Sequence, residues 1–205
     1  MERRLSAAVR TSALPARLPP AVPQFPDRRW RHAYRAWAEA GGWRLEGEFP
    51  DVAKLVVIVA PHSSWWDGFW GLLFKVAMGL DISFMAKREL FGWPLGSLLR
   101  MLGGVPITRG AKGDVVRQMV DRFQRVDRLW LCIEPEGTRK AVRRWKSGFW
   151  HIARQAQVPI LPAYFDYPRK VIGLGPLFHA TADKDADLAA LRAFYAPFRG
   201  KYRGV

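Results

Sequence analysis

Cysteine is nearly missing from this chain: Cys132 stands alone among 205 residues. One thiol excludes an intrachain disulfide framework, and no Cys/His cluster has the spacing of a zinc site. Both facts fit a reducing compartment. Long apolar runs are missing too. The longest, Leu55–Pro61 and Gly68–Leu80 (the second interrupted by Lys75), fall short of the ~18 residues a membrane span requires. The arginine-bearing N-terminus has no apolar signal core, so secretion is not expected. There is no G-x-S-x-G nucleophile elbow, no internal repeat and no recognisable nucleic-acid motif. Acidic residues are scarce, 18 Asp+Glu against 33 Lys+Arg, for a net charge of +15.

What is present describes a globular protein. Hydrophobic residues make up 49% and charged residues 25%, in a length that suits one substantial core. The positive field attracts polyanions: nucleic acid, anionic lipid headgroups or a phosphorylated substrate. Ten tryptophans are many for such a chain, and Trp beside Arg suits a lipid–water interface.

Residues Met1 to Pro26, with "ALPARLPPAVPQFP", read as an extended arm. Asp27 can cap a helix that stops at Gly41-Gly42. On it Trp30, Tyr34 and Trp37 form an aromatic stripe bordered by Arg28, Arg29, Arg31 and Arg35, which suits either the domain core or a membrane surface. The chain therefore divides into a basic arm with an amphipathic helix, 1–42, and a main domain, 43–205. Strands are expected at Leu55–Ala60, Ile82–Ala86, Val105–Thr108, Leu129–Ile133, Ile160–Phe165, Val171–Leu174 and Leu177–Thr181. Helical patterns fall at Gly68–Leu80, Leu90–Leu102 (broken near Pro94), Asp114–Arg125, Ser147–Gln157 and Asp185–Phe198. The alternation predicts an α/β fold with a mixed, largely parallel sheet flanked by helices.

The chemistry gathers around "LVVIVAPHSSWWDGFWG", Leu55 to Gly71. A buried strand ends at Pro61, and His62 and Asp67 follow five positions apart. On one continuous helix they would point about 140° apart. They can meet only if His62 lies in the loop and Asp67 near the start of the next helix, from about Trp66. That is the carboxyl end of a strand, where open α/β sheets bind ligands. A carboxylate on one imidazole nitrogen fixes the tautomer and frees the other nitrogen to take a proton. The alternative is a structural histidine beside an aspartate helix cap.

Three further stretches bear on the choice. "GGVPITRG" ends a strand with Arg109, "IEPEGTRK" follows another with Glu136, Gly137, Thr138 and Arg139, and "VPILP" opens a third. Glycine admits a ligand close to the backbone, and guanidinium groups suit phosphate. Each arginine taken singly also fits a solvated surface charge, and Glu136 fits an arginine's ion-pair partner.

Together, "HSSWWD", "GGVPITR", "EPEGTR" and "VPILP" resemble, in order, the four motifs of the lysophosphatidate acyltransferase family of glycerophospholipid synthesis. "AKRELFGWPLG" and "KSGFWHIA" add to the likeness, which is good over Trp43 to Asp166 and looser beyond. The resemblance implies that His62 is the general base and that Asp67 orients it. The acceptor's hydroxyl then attacks the thioester of acyl-CoA or an acyl carrier protein, with no acyl-enzyme, metal or cofactor. It implies that Lys87, Arg109 and Arg139 hold the acceptor's phosphate, with Gly137 and Thr138 shaping that pocket, and that Glu136 fixes an arginine or contacts the acceptor. Motif IV is assigned to packing. A lysophospholipid acceptor, an anionic membrane surface and a peripheral place on the cytoplasmic side of the membrane follow. Trp65 and Trp66 would wall the site, unless they pack in the core.

The chain departs from the family in "ITR", where many members have an acidic residue before the arginine. It also departs in the serines of "HSSWWD" and in lacking the long N-terminal membrane segment of some relatives. These differences leave the acceptor open, since some relatives acylate lyso-ornithine lipids, glycolipids or carotenoid glycosides. Two rivals remain. One is a hydrolase using His62 and Asp67, and the other is a basic nucleic-acid-binding module.

Overall fold

The computed structural model describes residues 11–12, 15, 17–26, 30–108 and 114–205. The expected Asp27 cap and Arg109 lie outside the described residues, as do the side chains of Trp30 and Lys87.

The strands are β1 (Thr11–Ser12), β2 (Arg44–Glu46), β3 (Lys54–Val59), β4 (Ile82–Lys87), β5 (Gly104–Ile107), β6 (Leu129–Ile133), β7 (Ile160–Asp166) and β8 (Val171–Leu174). They form one sheet in the order β1-β2-β8-β7-β3-β6-β4-β5. From β7 to β5 every pairing is parallel. The β7–β8 and β1–β2 pairings are antiparallel, and β2–β8 is parallel. The mixed, largely parallel sheet expected from the alternation is therefore present. Val56, Ile58 and Leu131 face one core with Phe149 and Ile152, while Leu55, Val57 and Trp130 face another with Phe74 and Met78. Burial on both faces explains the unbroken β-branched run of β3.

The helices are α1 (Trp30–Ala40), α2 (Trp65–Met78), α3 (Leu95–Met101), α4 (Asp114–Arg125), α5 (Gly148–Gln155) and α6 (Lys184–Tyr195). A 3-10 turn at Arg88–Phe91 precedes α3, matching the break near Pro94. Leu177–Thr181 is not a strand: only Phe178 makes an isolated bridge, to Ile160. The short β2 had no periodicity long enough to reveal it.

Part of the expected arm is built into the domain. Val22 is fully buried in the second core beside Leu18. The Ala21 amide donates to Asp51, and Arg128 donates to the Pro20 carbonyl. In α1, Ala38 is buried and the Arg31 guanidinium donates to the Met78 carbonyl at the end of α2. Tyr34 and Trp37 remain exposed, with Trp37 edge-on to Phe69 of α2.

Candidate active site

The His-x4-Asp spacing is the geometry of a helix cap. Ser64 is the N-cap of α2, with extended backbone, and its Oγ accepts from the Trp66 amide at 3.0 Å. Asp67 is the third helical residue and its Oδ2 accepts from the Ser63 and Ser64 amides, each at 2.8 Å. That is a capping box with aspartate in the acidic position. Because the chain enters the helix this way, the residue two before the cap lies against the same carboxylate. His62 Nδ1 is 3.3 Å from Asp67 Oδ2. The structural and chemical readings of Asp67 are thus compatible, since one carboxylate serves both.

Tyr167, in the turn after β7, donates its hydroxyl to Asp67 Oδ1 at 2.6 Å. Burial alone would raise the Asp67 carboxyl, but the donors from His62, Tyr167, Ser64 and Ser63 overcome it and hold Asp67 below its usual value. For His62 burial favours the neutral ring. The Asp67 contact and the charges of Glu134 and Glu136 outweigh burial and raise the imidazole above its ordinary 6.5.

The other nitrogen has a neighbour of its own: Glu134 Oε2 lies 3.5 Å from His62 Nε2. Glu134 follows β6, which pairs with β3 up to Ile58–Ile133, so the two strands deliver the imidazole and the carboxylate side by side. Sequence reading passed over Glu134; its place at the end of a strand beside "PEGTR" was the only signal.

Both groups line a cavity of about 680 Å³. Its walls are largely apolar, with Leu72, Met78, Ile82, Phe84 and Trp130 among them, and polar lining at Asp67 and Lys146. Gly137 also lines it, at a φ of 62°. A side chain there would be strained and its Cβ would sit 2.6 Å from Lys146 Nζ.

A model of the acyltransferase family matches residues 45–166, which include the whole histidine–aspartate pair and the Glu134–Arg139 loop. The chain belongs to the acyltransferase family. Human 1-acyl-sn-glycerol-3-phosphate acyltransferase beta is 38% identical over 120 residues, covering 55% of this chain. The chain spans 42% of the length of that human relative. The crystal structure of the 1-acyl-sn-glycerophosphate (LPA) acyltransferase PlsC from Thermotoga maritima has the same fold. The TM-score is 0.55 at 20% identity, over 73% of this chain and 67% of that one.

Several residues of the expected site do not line the cavity. Glu136 does not face the cavity: its side chain is fully buried and forms an ion pair with Arg203. It also accepts from the His62 amide at 3.4 Å. The charge is already neutralised inside the protein, so Glu136 braces the histidine loop and is not open to an acceptor. Arg203 was missed because nothing near it in sequence marks it. Thr138 and Arg139 are exposed and do not line the cavity. The Thr138 hydroxyl accepts from the Lys140 amide, and the Arg139 guanidinium stacks 3.7 Å from the Trp65 ring. Trp65 and Trp66 neither wall the cavity nor enter the core: as the first two residues of α2 they point outward, Trp65 being 80% exposed. Lys201 lies 4.7 Å over the Trp66 ring. "VPILP" enters β7, all of whose residues are buried.

The possible nucleophiles are occupied. Ser64 caps α2, and Ser63 Oγ accepts from the Tyr202 amide at 3.2 Å. Burial pushes the Cys132 thiol up to about 12, leaving it protonated near neutral pH.

Proposed function

We propose that this chain moves a fatty acyl group from an acyl thioester, acyl-CoA or acyl carrier protein, to the hydroxyl of a lysophospholipid, with lysophosphatidate as first candidate. The observation that carries the reading is the His62–Asp67 pair opening onto a large, apolar-walled cavity. Asp67 fixes the tautomer with the proton on Nδ1, and Nε2 takes the proton of the acceptor's hydroxyl. The oxygen attacks the thioester carbonyl, the C–S bond breaks, and the thiolate leaves with the proton from His62. A thioester is already activated, so no cofactor enters. Holding hydroxyl, base and thioester together supplies up to ~7–11 kcal/mol of the barrier.

The apolar walls suit an acyl chain. Lys146 at the lining is the cationic group for a phosphate. Arg139 acts at the rim. That rim suits an anionic bilayer, which would place the protein peripherally on the cytoplasmic side of the membrane. Trp65 and Trp66 follow β3, Trp93 and Leu95 follow β4, and Arg139 follows β6. These three strands are parallel, so their trailing segments emerge at one edge of the sheet with His62. Trp93 is 96% exposed. Among the described residues no helix is long and apolar enough to cross a membrane.

Thiol release from acyl-CoA tests the reading across lysophosphatidate, other lysophospholipids, lyso-ornithine lipid and glycolipids. Release should depend on the acceptor and vanish in His62→Ala. Equal rates for variant and native protein would reject His62 as the base.

A further inference from the structure

His62 is flanked by carboxylates on both ring nitrogens, and only one of them has a part in the mechanism above. Asp67 holds Nδ1. Glu134 approaches Nε2, the nitrogen that must be free to receive the acceptor's proton. A surface glutamate turned to water would have no bearing on the base. Glu134 lines the cavity, with its side chain half exposed and its carboxylate 3.5 Å from Nε2. Among the described residues no lysine or arginine forms an ion pair with it.

We infer that Glu134 is a positioning residue that closes the resting site by clamping protonated His62, so that the base becomes competent only when the proton leaves Nε2 and the acceptor's hydroxyl takes the place of the carboxylate. The inference rests on the reading of His62 as base. With Glu134 ionised, the imidazolium sits between two anions and is favoured over the neutral ring. Neutral imidazole has no such attraction at Nε2, and the carboxylate is then free to swing aside. Titration of His62 and binding of the hydroxyl are thereby linked, because both compete with the same contact.

The other charged groups around the ring are distributed as follows. Asp67 of α2 is bonded to Nδ1 and held by the Tyr167 hydroxyl. Glu136, behind the loop, is neutralised by Arg203, which also binds the His62 carbonyl. Burial, with the charges of Asp67 and Glu136, raises the Glu134 carboxyl above its ordinary value, and His62 and Arg139 oppose that shift. Among the described residues the Glu134 side chain makes no hydrogen bond to the backbone of the histidine loop or of α2, so its replacement leaves their capping contacts in place.

The test is the pH profile of thiol release for the native protein, Glu134→Gln and Glu134→Asp, with His62→Ala beside them. In the three proteins that keep His62, the rate rises with pH as His62 loses its proton. Glu134→Gln should move that rise to lower pH by roughly half a unit to one unit, and Glu134→Asp should restore most of the native profile. NMR titration of His62 in the protein without substrates should show the same displacement, a readout that loss of packing would not move in this direction. A native-like rise and titration in Glu134→Gln would overturn the inference. If His62→Ala retains activity, the base assignment fails instead, so the two failures are distinguishable.

Discussion

Arg203 donates to the main-chain carbonyl of His62 at 2.9 Å while its guanidinium also holds the buried carboxylate of Glu136. The histidine loop after β3 and the glutamate loop after β6 are thereby tied by a residue from beyond α6. The same guanidinium reaches the Lys140 carbonyl at 3.0 Å. His62 is placed by its strand and helix cap, and the clamp ties its loop to the one after β6.

Removing that arginine leaves Glu136 charged and buried without a partner. Arg203→Ala should lower unfolding stability by about 3 kcal/mol, read as a shift in the urea midpoint. Adding Glu136→Gln should recover part of the loss. Full additivity of the two changes would disprove the clamp.

Asp67 acts through charge as well as shape. Asp67→Asn keeps the volume but lets the ring adopt the wrong tautomer, and thiol release should fall by on the order of 10³-fold or more. Tyr167→Phe removes only the 2.6 Å donor, and should cost about 1.5–3 kcal/mol of stability with a smaller rate loss. Rates unchanged in both variants would mean the carboxylate is merely a helix cap.

The raised titration of His62 has a consequence for stability. A base whose folded value lies above its ordinary 6.5 stabilises the fold below that pH, and the contribution disappears as pH rises through the folded value. The stability difference between native protein and His62→Gln should therefore be largest in mild acid and shrink in mild alkali. Urea unfolding across that range measures it, and a difference that grew with pH would contradict the ion pairs drawn around the ring.

The outward tryptophans should matter for membranes more than for folding. Trp65→Ala and Trp93→Ala should each leave the thermal midpoint within a degree or two of native, since surface substitutions usually change stability by about 0.5 kcal/mol or less. Both should reduce sedimentation with anionic vesicles. Deleting residues 1–42 is a poorer test of the same idea: it strips Val22 and Ala38 from the core and should destabilise the domain itself. Unchanged sedimentation in both variants would reject the rim as the docking face.

By itself the sequence determined whatever depends on near neighbours. The unbroken apolar run of β3 required burial on both faces. The alternation of strand and helix required a largely parallel sheet. The spacing from His62 through Ser64 to Asp67 allowed both a helix cap and a meeting of imidazole and carboxylate, and one geometry holds both. Which partners complete the site was decided only by the tertiary structure. Tyr167 and Arg203 reach the pair from 100 and 141 residues away, and Glu134 meets Nε2 because β6 happens to lie beside β3. A folded chain chooses such contacts by how its sheet is ordered and how its ends are packed. That is also why Glu136, readable as an arginine's partner, finds that partner in distant Arg203, while Arg139, expected to hold a phosphate, faces outward to an indole.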